Sequence, residues 1–152
     1  VAPAIATLGP GATQIFRVAA RGAPADAERA YRLFLEDVTP AKPGGGVQMR
    51  LRNNLPLFLE ARNGAGRPVV APCERPSKGV CLRVENQGDR RFKVTRVILQ
   101  AGAQRREEPA ATTVLAGSWR RLIYDVDLSG PLRVTVETTA GSAASAFPGN
   151  DG

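Results

Sequence analysis

"GGGVQMRLRNNLPLFLEA", residues 44–61, decides how this chain is read. After a run of glycine, large apolar side chains recur at every second position: Val47, Met49 and Leu51, then Leu55, Leu57 and Leu59. Between the first three stand Gln48, Arg50 and Arg52. Alternation with period two places successive side chains on opposite faces of a β-strand. The spacing therefore predicts one long strand, apolar along one face and arginine-rich along the other. Each of its large apolar side chains would gain about 1.5–3 kcal/mol on full burial, so the face calls for a cover.

The rest of the chain has the same texture. Sixteen glycines and twelve prolines, in short clusters, cut the 152 residues into brief segments that suit strands better than long helices. "TQIFRVAA" (13–20) reads as a short β-rich run. "ERAYRLFLEDV" (28–38) puts Tyr31, Leu33 and Leu35 on one side and Arg32 and Glu36 on the other; helix composition is tolerable there, but the period of two favours strand. After the linker-like "EARNGAGRP" (60–68), "VCLRVEN" aligns Val80, Leu82 and Val84, and "RRFKVTRVILQ" follows the turn "NQGD". "SWRRLIYDVDL" aligns Leu122, Tyr124 and Val126, and "PLRVTVETT" aligns Leu132, Val134 and Val136. Short alternating strands between turn signals predict an all-β fold of two immunoglobulin-like β-sandwich domains. The expected boundaries are 1–62 for the first domain, 63–67 for a linker, 68–140 for a smaller second domain, and 141–152 for a small, polar, disordered tail. Residues 1–62 supply only about four strands, fewer than the roughly seven a sandwich needs, so the first domain is expected to be incomplete.

Composition removes several function classes. The net charge is +7 and the pI about 10.4. Eighteen of the 21 basic residues are arginine, which suits phosphate, yet they are scattered and few aromatics lie among them, so no nucleic-acid partner is expected. Histidine is absent, which eliminates His-dependent nucleophiles and His-containing metal sites. No nucleotide-binding loop or paired-carboxylate signature occurs. The reading is of a non-enzyme with no catalytic residues, no metal and no cofactor. No window of 18 apolar residues exists, so no transmembrane segment is expected. Cys73 and Cys81 bracket "CERPSKGVC", where Pro76 and Gly79 suit a turn. A disulfide follows if the compartment is oxidising; free buried thiols are the alternative. Trp119 and Phe58 read as packing residues. The opening "VAPAIATLGPGATQ" lacks the charged and apolar regions of a signal peptide.

Three consecutive segments resemble one family, the periplasmic pilus-assembly (fimbrial) chaperones of the chaperone–usher pathway. "VAPAIATLGPGATQIFRVA" resembles the family's "V-x-P-x…L-x-P-G-x-x-Q-x-x-R-V", and "ERAYRLFLEDVTPA" its Y-x-L strand and following turn. "GVQMRLRNNLPLFLEA" falls on the long last strand of the family's first domain. The second half is similar to the second domain of the more divergent, archaic members, with turns at Asn86, Gly88 and Ala116–Arg120. The resemblance covers about residues 1–140 and implies that the first domain lacks its earlier strands, so that the chain is expected to be truncated at its N-terminus.

The resemblance implies a periplasmic chaperone that lends a strand to an incomplete pilus subunit and delivers it to an outer-membrane usher. The lent residues would be Val47, Met49 and Leu51, with Leu55 nearby; Gln48, Arg50 and Arg52 would face away. Family members hold the subunit's C-terminal carboxylate with two basic residues in the cleft between domains. The position of the lysine among them is Pro56 here, leaving Arg52, Arg50 and Arg17 as substitutes. Glu28 matches a family acidic residue that ties the domains together. The usual arginine partner corresponds to Glu60, so Arg62 is the expected replacement. The alternative is a structural or adhesive immunoglobulin-like module that uses residues 47–55 to complete its own core.

Overall fold

The computed structural model describes residues 1–22, 26–40, 44, 47, 49–74, 79–128 and 130–147. Every regular element among them is a strand: β1 (Arg29–Glu36), β2 (Arg52–Leu59), β3 (Pro68–Pro72), β4 (Val80–Asn86), β5 (Phe92–Ala101), β6 (Gln104–Val114), β7 (Trp119–Tyr124), β8 (Leu132–Thr138) and β9 (Gly141–Phe147). β3–β9 make two antiparallel sheets, ordered β3-β4-β7 and β6-β5-β8-β9, the three-plus-four arrangement of an immunoglobulin-like sandwich. β1 and β2 form a separate antiparallel pair.

The core lies between the two sheets of the second unit. Leu82 and Val84 from β4 meet Val94, Val97 and Leu99 from β5, Val114 from β6, and Val134 and Val136 from β8, all fully buried. The alternations in "VCLRVEN" and "PLRVTVETT" are the inward faces of β4 and β8, and Leu122 and Tyr124 pack from β7. β5 breaks period two once. Val94 and Val97 are both buried although three residues apart, because the register shifts between Val94 and Arg96 at a β-bulge. Thr95, the extra residue, donates its hydroxyl to the Glu137 carbonyl at 3.1 Å.

Several expectations need correction. The long strand over 44–61 is shorter: β2 starts at Arg52, because β1 ends at Glu36 and the last link of the pair is the Asp37 N–H to the Leu51 carbonyl, 2.9 Å. "TQIFRVAA" is not a strand; Arg17 alone makes an isolated bridge, to Ala2. The described part of 1–62 thus holds two strands, not four. The tail begins later than predicted. Gly141–Phe147 is β9, paired along β8 and closed by the buried Phe147, because Ala143 and Phe147 supply an inward face too sparse to register as alternation. Residues 148–152 lie outside the described residues.

The linker is not loose. Asn86, fully buried, accepts from the N–H groups of Arg67 (3.1 Å) and Gly88 (3.0 Å) and donates to the carbonyls of Arg90 (2.9 Å) and Val114 (3.3 Å). One side chain therefore ties the linker, the β4–β5 turn and the end of β6 together. The turn presses so closely on the linker that a Cβ on Gly88 would stand 2.1 Å from the Ala65 carbonyl oxygen. Only glycine fits there.

Cys73 and Cys81 are disulfide-bonded, with Cα atoms 5.2 Å apart. The β3–β4 register, with Pro72 opposite Leu82, carries the two cysteines to facing positions, and the Cys73 N–H donates to the Cys81 carbonyl at 3.2 Å. Pro76, expected in the intervening turn, lies outside the described residues.

Candidate functional site: an apolar segment and a charged junction

The cross-strand pairs Leu33–Leu55 and Tyr31–Leu57 put the apolar alternation of both strands on one face of the β1–β2 pair. Leu57 and Leu59 are half-buried there. Toward the start of the segment exposure climbs: Leu55 is 46%, Leu51 70%, Met49 83% and Val47 95% exposed. Among the described residues, no paired strand includes Val47, Met49 or Leu51. The three sit just ahead of β2 and keep its parity, as a further stretch of the same edge would. Gln48 lies outside the described residues.

The arginines chosen as carboxylate anchors occupy other places. Arg52 pairs with Glu36 at 2.6 Å, and its guanidinium lies 4.2 Å from the centre of the Phe34 ring. Arg50 acts on Asp37, whose carboxyl is held below its ordinary range first by the Thr39 hydroxyl and N–H (2.5 and 2.9 Å) and then by the Arg50 charge. Both stand at the end of the β1–β2 pair away from the second unit. From Arg52 to Leu59 is seven strand steps, about 23 Å. Arg17 is exposed in its bridge to Ala2.

At the opposite end, where β1 begins and β2 ends, the two units meet through charge. The Glu28 carboxylate, 1% exposed, accepts from the Arg91 guanidinium and from the Arg91 N–H (3.3 Å). Arg91 also reaches Glu60 (3.4 Å), and Glu60 binds Arg90 (2.9 Å). The Arg91 guanidinium stacks 3.8 Å from the centre of the Phe58 ring. A backbone bond from the Glu28 N–H to the Asp89 carbonyl, 2.7 Å, closes the junction. Glu28 is thus at the junction, as expected, but its partner is Arg91, not Arg62, which is exposed and makes no ion pair among the described residues. With Glu60 where a basic residue was expected, the balancing cations come from the second unit. Arg90 and Arg91 gave no sign of this in sequence, where they only open the segment "RRFKVTRVILQ" after the turn "NQGD".

A groove of about 550 Å³ opens beside the junction, lined by Tyr31, Leu57, Phe58, Glu60, Arg21 and Arg29. Its two arginines make no ion pair among the described residues. Sequence reasoning passed over both; the signal available was Arg29 at the first position of the alternating strand beside Glu28. Trp119, expected to pack, is 49% exposed on β7 and stacks with Arg83 at 4.9 Å. Among the described residues no cluster of acidic, cysteine or histidine side chains could hold a metal ion, and no helix is long and apolar enough to cross a membrane.

A β-sandwich joined by a charged junction to a two-stranded ribbon with an apolar, uncovered leading segment is the organisation on which the comparisons bear. Residues 1–63 match the family described as pili and flagellar-assembly chaperone, PapD N-terminal domain. By fold, the chain is similar to the crystal structure of the class 5 fimbriae chaperone CfaA, with a TM-score of 0.54 at 11% identity, over 80% of this chain and 59% of that one. No curated protein sequence matches the chain. Residues 1–63 thus match a pilus-chaperone domain by sequence, and the chain shares a two-domain immunoglobulin-like fold with a fimbrial chaperone across most of its length. It spans little more than half the length of the fimbrial chaperone it resembles.

Proposed function

We propose that this protein is a periplasmic pilus-assembly chaperone that lends residues 47–51 to an incomplete pilus subunit as its missing strand and passes the subunit to an outer-membrane usher. The observation that carries the reading is the exposure of Val47, Met49 and Leu51, at 95%, 83% and 70%, on a segment that lies ahead of the paired strand and is linked to β1 only through the Leu51 carbonyl among the described residues. Such a segment is an invitation to aggregate unless a partner takes it. Strand addition to the edge of an open sheet satisfies its backbone groups, while pockets on the partner receive alternate side chains and set specificity. Leu55, less exposed and within β2, extends the row. No nucleotide is needed, since burial of the three side chains itself drives association. The Cys73–Cys81 disulfide suits the oxidising periplasm.

The subunit's terminal carboxylate has better candidates than Arg17, Arg50 and Arg52. Arg21 and Arg29 line the groove beside the junction, whereas Arg50 and Arg52 stand at the far end of the strand pair beside acidic neighbours of their own. The rival reading, a structural or adhesive immunoglobulin-like module, needs Val47, Met49 and Leu51 inside its own core, and the exposure of those three weighs against it.

The test is to mix the protein with a pilin lacking its final strand and follow the complex by size-exclusion chromatography. The expected result is a stable one-to-one complex that Met49→Glu with Leu51→Glu abolishes while the variant keeps its β-sheet circular dichroism. A complex that survives the double substitution contradicts the proposal.

A further inference from the structure

We infer that Met49 is a site of reversible oxidation, at which hydrogen peroxide turns subunit binding off. The inference rests on the strand-lending reading above. Met49 is the chain's single methionine, and its side chain is 83% exposed. The two cysteines, which would otherwise react first, are both held in the Cys73–Cys81 disulfide. The softest nucleophile left on the surface is therefore one thioether sulfur, midway along the segment proposed to enter the subunit. Its neighbours in the row, Val47 and Leu51, are inert to the same reagent.

The chemistry closes without help from the protein. A lone pair on the Met49 sulfur attacks the outer oxygen of the peroxide, the O–O bond breaks as the S–O bond forms, and the remaining oxygen leaves as water after proton transfer. Sulfur loses two electrons and the peroxide gains them. A methionine sulfoxide reductase reverses the step at the cost of a dithiol. What changes is the character of one tooth. The sulfoxide would carry a strong hydrogen-bond acceptor into a pocket that takes an apolar side chain, and a buried acceptor left unpaired there is costly. Because Met49 lies between Val47 and Leu51, the strand cannot shed it by fraying from one end.

The experiment measures the affinity of the protein for a pilin lacking its final strand before hydrogen peroxide treatment, after it, and after repair by methionine sulfoxide reductase, in the wild type and in Met49→Leu. Peptide mass spectrometry locates the added oxygen. The expected outcome is one oxygen at Met49, an affinity loss on the order of tenfold or more, recovery after repair, and no loss in Met49→Leu under the same treatment. Met49→Leu keeps Trp119, so general oxidative damage would show in both proteins. Unchanged affinity with the sulfoxide in place overturns the inference and leaves the strand-lending reading standing. An equal loss in Met49→Leu overturns it too. Failure of the untreated protein to bind is a separate result, which removes the strand-lending reading and this inference together.

Discussion

Asn86 and Glu28 show what single side chains accomplish in this molecule. Asn86 holds four backbone groups from three segments in a site closed to water. Buried polar groups that lose their partners cost about 1–3 kcal/mol each, partly offset by relaxation. Asn86→Ala is expected to destabilise the protein by about 2–4 kcal/mol, read from the midpoint of urea unfolding. Asn86→Asp should do no better, since a carboxylate can accept from Arg67 and Gly88 but cannot donate to Arg90 and Val114. Glu28 is nearly as buried as Asn86, but charged. Removing one partner of such a pair strands the other, and with Arg91 28% exposed the cost is about 2–3 kcal/mol for Glu28→Ala. Glu28→Gln keeps an acceptor for the Arg91 N–H and should lose less. The role of Asn86 was half-legible, since "NQGD" announces a turn but not the side chain that knots it. The Glu28 partner was not legible, because Arg91 lies 63 positions away and nothing local marks it.

At the level of strands, what could be read depended on how strongly burial wrote its period into the sequence. β4 and β8 carry large branched residues at every inward position, so their faces were plain. β6 was missed. Its stretch "QRREEPAATTV" has charges and a proline over the first half, and its inward residues are small until Val114. Those features suit an edge strand, which charge and proline protect from further pairing. β9 hid for a related reason, with alanine and serine where a core strand would have valine. The opposite error occurred at residues 47–51, where alternation promised a paired strand and the β1 partner ends too soon. Alternation records which side chains want cover, not whether the cover belongs to the same chain. The β3–β4 hairpin bears a prediction of its own. The disulfide closes a short loop, so its contribution is about 2–3 kcal/mol, and the doubly substituted Cys73→Ala, Cys81→Ala protein should unfold at correspondingly lower urea.

Across the whole molecule, the second unit is a complete sandwich with its own core, and the β1–β2 ribbon is fixed to it by Glu28, Glu60, Phe58, Arg90 and Arg91. That junction stands at the far end of β2 from Leu51, roughly 20 Å away along the strand. The all-β class and the two-part division could be read from turns and periods, whereas the junction depends on charges brought together only by folding. On the proposed function, the 47–51 segment becomes a strand of another protein's sheet. Hydrogen exchange measured on the complex with a pilin lacking its final strand addresses that claim directly. The Met49 and Leu51 amides, with those flanking them, are expected to become protected on binding, as hydrogen-bonded strand amides are. A stable complex in which those amides exchange as fast as in the free protein would contradict it.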